Sequence, residues 1–105
     1  MSEALICYCT CPDGPTARRI ADVLVAQGLA ACVNIVPGLI SVYRWQGVVE
    51  SADEVLLMVK TDRAHYPALE QAVRREHPYE LPAVVAVSIA AGSPQYLTWL
   101  HASLH

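Results

Sequence analysis

Apolar and polar positions alternate along this chain in a way that marks strands and helices in turn. Ala4 to Cys11 is a compact run rich in Ile, Leu, Cys and Tyr, and reads as a first strand. Pro12-Asp13-Gly14-Pro15 punctuates it, and either Asp13 or Thr16 can cap the helix that follows. Ala17, Ile20, Ala21 and Leu24 recur at helical spacing, and Gly28 stops that helix. A second strand runs from Ala30 to Val36 and continues past Pro37-Gly38 through Leu39 to Trp45. Proline lacks a ladder donor and glycine permits a bend, so a bulge is expected there.

Tyr43-Arg44-Trp45-Gln46-Gly47 is the tightest point of a long hairpin, with glycine accepting the positive φ of a short turn. Val48, Val49, Val55, Leu57 and Val59 carry the returning strand, whose central part, Glu54 to Thr61, is apolar on both faces. Asp62 to Glu76 predicts a second helix that becomes regular near Tyr66, with Tyr66, Leu69, Ala72 and Val73 facing inward. His77-Pro78-Tyr79-Glu80-Leu81-Pro82 is a loop held by two prolines, and Ala83 to Ile89 a fourth strand. Ser93-Pro94 opens a last helix carrying Tyr96, Leu97, Trp99 and Leu100.

The order β-α-β-β-α-β with an added C-terminal helix predicts an α+β, ferredoxin-like sandwich, spatial order 4-1-3-2, with residues 1–105 as one domain. Strands one and three are expected to run parallel. The ends of strands one and three and the entry to strand four would then share a rim, with the Trp45 turn at the other.

Composition adds a second expectation. Apolar residues make up 54% of the chain and charged ones 16%, more apolar and less charged than an average soluble domain. No run reaches the ~18 uncharged apolar residues of a bilayer span. The surplus is expected in contacts between copies, because a two-strand arm of this length is marginal alone in water. Tyr43 and Trp45 share a strand face at its tip. The arm is expected to plug into a sister subunit, with Glu54, Lys60, Tyr79 and Trp99 supplying polar groups around an inter-subunit pocket. A net charge of −3 without a clustered Lys/Arg face argues against nucleic acid. The N-terminus has no basic leader pattern and the four cysteines form no disulfide framework, which predicts a cytoplasmic protein with free thiols.

Cys7, Cys9 and Cys11 alternate along one strand, so their thiols share a sheet face. Cys7 reads as core. Cys9 and Cys11 approach a rim that also holds His77, and serve equally as packing or as soft-metal donors. Cys32 reads as core, and His65, His101 and His105 as surface residues. No nucleophile elbow, zinc-protease helix or phosphate loop is present, and nothing in the chain calls for an enzyme.

Several stretches together resemble the CutA family of divalent-cation tolerance proteins: Cys9-Thr10-x-Pro12-Asp13, Leu29-Ala30-Ala31-Cys32 followed by Pro37-Gly38, Tyr43-x-Trp45-x-Gly47, Lys60-Thr61, His77-Pro78-Tyr79-x-x-Pro82 and Tyr96-Leu97-x-Trp99-Leu100. The resemblance implies a ferredoxin-like homotrimer connected with tolerance to copper and other divalent cations, and no defined enzymatic reaction. The copper site described for a bacterial member falls by position on Cys9, Glu76 and His77. That site uses two adjacent histidines, and Glu76 stands here in place of the first. A carboxylate binds Cu(II) less well than imidazole and suits Cu(I) poorly. The alternative is a signalling or structural trimer holding a small molecule or protein partner in its clefts.

Overall fold

A computed structural model of the chain describes residues 2–105. The elements run β1 (Ala4–Cys11), α1 (Gly14–Ala26), β2 (Cys32–Trp45), β3 (Val48–Asp62), α2 (Tyr66–Glu76), β4 (Val84–Ser88) and α3 (Pro94–Ala102). They form one four-stranded sheet in the order β2-β3-β1-β4. The expected ferredoxin-like order is therefore present, read from the opposite edge.

Local chemistry sets the boundaries. Asp13 caps α1, its side chain accepting a hydrogen bond from Thr16 N–H at 2.8 Å. Gly28, at φ +71°, ends α1 in the left-handed region. Gln46 and Gly47 both take positive φ, the requirement of a two-residue hairpin turn, and Trp45 pairs directly with Val48. Val36 pairs with Leu56 and Leu39 with Glu54, so Pro37 and Gly38 bulge opposite a single residue.

The core lies between the sheet and its two main helices. Cys7, Cys9, Cys11, Leu57 and Val59 interlock there with Ala17, Ile20 and Leu24 of α1 and Leu69, Ala72 and Val73 of α2. The opposite face of the sheet carries no helix over its centre. Val85 and Val87 stand exposed on it, and Ile40 and Val42 on the arm are 68% and 70% exposed. The arm stretches the molecule to 44 Å along one axis against 25 and 23 Å along the others.

One expectation about direction is corrected. β1 and β3 are antiparallel, pairing Ala4 with Asp62 at one end and Cys11 with Val55 at the other. The reason is topological. The crossover through α1 sets β2 parallel to β1, and the tight turn then sends β3 back between them. Residues 48–54 therefore overhang the Cys11 end of β1. The aromatic turn and the Cys11 end share one rim, whereas Lys60 and Thr61, opposite Ile6 and Leu5, lie at the far one. Cys32 is also corrected from core to half-buried, because β2 is an edge strand.

At the far rim α3 is moored through a buried carboxylate. Asp62 is 5% exposed, and it accepts hydrogen bonds from His65 N–H at 3.0 Å and His65 Nδ1 at 2.7 Å. His101 Nδ1 of α3 lies 3.4 Å from its other oxygen. His65 and His101 thus have structural partners rather than being free surface residues. Burial pushes the Asp62 carboxyl up, but the His65 and His101 hydrogen bonds outweigh it and hold the group below its ordinary value. A depressed carboxyl stabilises the fold above the ordinary Asp value and loses that contribution as pH falls through it. Asp62→Asn is expected to cost about 1–2 kcal/mol near neutral pH, a cost that shrinks below about pH 4. Denaturant titrations of both proteins between pH 7 and 3 check this, and a difference independent of pH would contradict it.

Candidate metal and ligand sites at the hairpin rim

The rim where β1 ends brings two kinds of chemistry together. Alternation along β1 aims Cys7, Cys9 and Cys11 at the helix layer, and all three are nearly inaccessible. α2 ends at Glu76, and His77 turns the chain into extended backbone while its N–H still reaches Val73 O at 2.8 Å. The His77 side chain then folds back against β1 and is buried. One donor atom each from Cys9, Cys11 and His77 lie within 4.8 Å of one another, the one such cluster among the described residues.

Hydrogen bonds settle the His77 tautomer. Nε2 sits 2.8 Å from the Thr10 carbonyl, so it must be the nitrogen that donates. Nδ1 accepts from Tyr79 N–H at 3.1 Å. A metal drawing on this imidazole must therefore displace one of those two bonds. The thiols are guarded as well. Burial pushes the Cys7 thiol up to about 11. The adjacent Cys11 thiol, and burial after it, push Cys9 far higher, while Cys11 is correspondingly lowered by the contact with Cys9. Two thiols and an imidazole in a small apolar space suit a soft or borderline ion.

Glu76, the other residue at the expected copper position, is not in this cluster. Its carboxylate lies 3.4 Å from Arg75 and 3.9 Å from Arg19, and Arg19 also donates to the Glu76 carbonyl at 2.6 Å. Glu76 thus serves the end of α2, and the third side chain grouped with Cys9 and His77 is Cys11.

Around the overhang opens a cavity of about 600 Å³ lined by Tyr43, Trp45, Glu50, Glu54, Tyr79 and Glu80 among others. Tyr79 Oη donates to Glu54 Oε2 at 2.8 Å. Burial and the Glu54 carboxylate push the Tyr79 hydroxyl up to about 12, so it remains a donor. Four of the six residues expected at an inter-subunit pocket thus meet within one chain. Lys60 and Trp99 lie elsewhere. Lys60 Nζ stands 5.5 Å from the centre of the Tyr96 ring, and Tyr96 stacks at 5.5 Å on Trp99. Cys11 joins Cys9 and His77 as its alternation along β1 allowed, whereas the resemblance had pointed to Glu76 in that place.

Residues 5–103 match the family model described as CutA1 divalent ion tolerance protein. The divalent-cation tolerance protein CutA of Thermus thermophilus is 53% identical over 91 residues, covering 87% of this chain and 88% of that protein. A solved Thermus thermophilus structure of that description superposes with a TM-score of 0.95 at 47% identity, covering 97% of this chain and 99% of the other. Protein CutA of Mus musculus is 45% identical over 90% of this chain, which spans 53% of the mouse protein. A structure titled periplasmic divalent cation tolerance protein CutA, from Archaeoglobus fulgidus, aligns at 33% identity with a TM-score of 0.94, over 97% of this chain and 99% of that one. Among the described residues no helix is long and apolar enough to cross a membrane.

Burial of all three β1 thiols, with raised values at Cys7 and Cys9, predicts selective chemistry. In folded, reduced protein at pH 8, an alkylating reagent should modify Cys32 rapidly and the β1 thiols only after unfolding. Peptide mapping by mass spectrometry reads this, and Cys7 reacting as fast as Cys32 would contradict it.

Proposed function

Because this chain belongs to the CutA1 divalent ion tolerance family, we propose that it acts in metal tolerance as a cytoplasmic, non-enzymatic homotrimer that takes up copper at Cys9, Cys11 and His77. The observation that carries this reading is the convergence of two thiols and one imidazole within 4.8 Å at the end of β1. Donors of that softness favour copper in its Cu(I) state, and they favour it over Mg²⁺ or Ca²⁺, which seek several oxygens. The ion would replace thiol protons and one His77 hydrogen bond. Glu76 stays with Arg19 and Arg75, so Cys11 compensates for the missing second histidine. Free thiols in a chain with four cysteines and no disulfide support a reducing compartment.

Assembly is supported by the arm. Ile40, Val42, Val48 and Val49 stand exposed on a hairpin that one copy does not cover. Burial against sister chains removes that apolar surface from water at roughly 25 cal/mol per Å². Tyr43 and Trp45 at the tip, with Lys60 and Trp99 from the opposite rim, are the residues we assign to this contact.

Reduced protein titrated with Cu(I) against a competing chelator is expected to show one tight site per chain. Cys9→Ser, Cys11→Ser and His77→Ala should each weaken it by about ten-fold or more, and Glu76→Gln should change it little. Equal, weak uptake by the wild type and by a Cys9→Ser/His77→Ala double variant would overturn the assignment.

A further inference from the structure

His77 enters the buried cluster with both ring nitrogens already engaged. Nε2 donates to the Thr10 carbonyl at 2.8 Å, and Nδ1 accepts from Tyr79 N–H at 3.1 Å. β4 pairs with β1 only as far as Cys9, one residue short of Thr10, and Nε2–H supplies a donor just beyond that point. Both bonds are internal to one chain. The residue is 6% exposed, and its partners are backbone atoms of β1 and of the loop joining α2 to β4. Sister copies that cover the hairpin therefore neither create this arrangement nor undo it.

Neutral imidazole offers one N–H and one lone pair, and the two bonds use both. A cation shared with Cys9 and Cys11 needs that lone pair. At Nδ1 it takes the place of Tyr79 N–H directly. At Nε2 it displaces the Thr10 bond, and the ring proton moves from Nε2 to Nδ1. Nδ1–H then confronts Tyr79 N–H, donor against donor. Both routes leave the same group unpaired, the Tyr79 amide. Tyr79 is also held at a second point, because its hydroxyl donates to Glu54 Oε2 at 2.8 Å. Loss of the amide bond leaves that anchor in place, so the response is a reorientation of the 77–79 backbone rather than melting of the loop.

We propose that His77 is a latch between the thiol cluster and the loop that leads into β4. With the cluster empty, Nδ1 holds the Tyr79 amide; with the cluster occupied, that amide is released and the loop takes a second setting. The latch rests on the metal reading of Cys9, Cys11 and His77, and adds the means by which occupancy of a buried site is felt outside the core. Linkage makes the effect reciprocal, so removing the Tyr79 amide bond tightens the site.

The test uses the full-length, reduced protein in its native assembly, with Cu(I) as probe and ¹⁵N NMR as readout. The His77 ring nitrogens report which of them carries the proton, and hydrogen exchange reports the Tyr79 amide. Loading should speed Tyr79 exchange by about ten-fold or more. The His77 amide, bonded to Val73 O at 2.8 Å, should keep its rate. Tyr79→Ala and Tyr79→Pro both lack the ring and the hydroxyl and differ in the amide N–H, so the proline variant should bind Cu(I) about five-fold more tightly than the alanine variant. Thermal melting confirms that both fold, and the exchange measurement on the unaltered chain decides the matter if one does not. Stoichiometric Cu(I) uptake with an unchanged Tyr79 amide would overturn the latch and leave the metal site standing, as would equal affinity of the two variants. Faster exchange at both amides would also overturn it, since the end of α2 would then be unravelling. Absence of Cu(I) uptake would overturn the latch and the metal site together.

Discussion

A mismatch in strand length governs this molecule. β2 and β3 run for 14 and 15 residues, while β1 has 8 and β4 only 5. The helices cover a sheet of the shorter length, so the turn-proximal part of the hairpin extends beyond any core the chain can supply. Two strands alone bury too little to persist in water, and valine and isoleucine on both faces make the exposed arm costly. The Pro37–Gly38 bulge marks where the arm leaves the body, between the last pair that packs on the core side and the first that overhangs. Everything distinctive about the rim follows from that overhang.

The register of β1 against β3 converts the overhang into chemistry. Pairing Cys11 with Val55 places the end of the thiol row beside the point where β3 leaves the body. The loop from α2 to β4 crosses the same point, bringing His77 onto the Thr10 carbonyl and Tyr79 onto Glu54. One three-residue stretch thus closes the thiol cluster on one side and the aromatic cavity on the other. His77 and Tyr79 are themselves joined, by the Tyr79 N–H to Nδ1 hydrogen bond and by rings 4.6 Å apart. A metal that took Nδ1 would release the backbone N–H of the residue that holds Glu54 in place.

Much of this was legible in the chain. Periodicity located all seven elements, Pro37–Gly38 announced the bulge, and Gln46–Gly47 the turn, because each depends on a backbone property of one or two residues. The direction of β3 relative to β1 was misjudged, and with it which features share a rim. Direction follows from the handedness of the crossover and the hairpin together, and no single residue carries it. That Glu76 stays out of the group formed by Cys9, Cys11 and His77 was hidden for a related reason. Neighbours in sequence at a helix end point apart, and Arg19, 57 residues away, decides where the Glu76 carboxylate goes. Asp62, His65 and His101 were passed over because His101 meets Asp62 only after α3 has folded back.

The arm's need for cover is the claim on which the assembly, the pocket walls and the setting of the thiols all rest. The most direct test is the molar mass of the purified reduced chain by light scattering over a wide range of micromolar concentrations. The account predicts three times the 11.4 kDa chain mass, unchanged on dilution. A compact species of a single chain mass, with the hairpin amides still protected from hydrogen exchange, would contradict it.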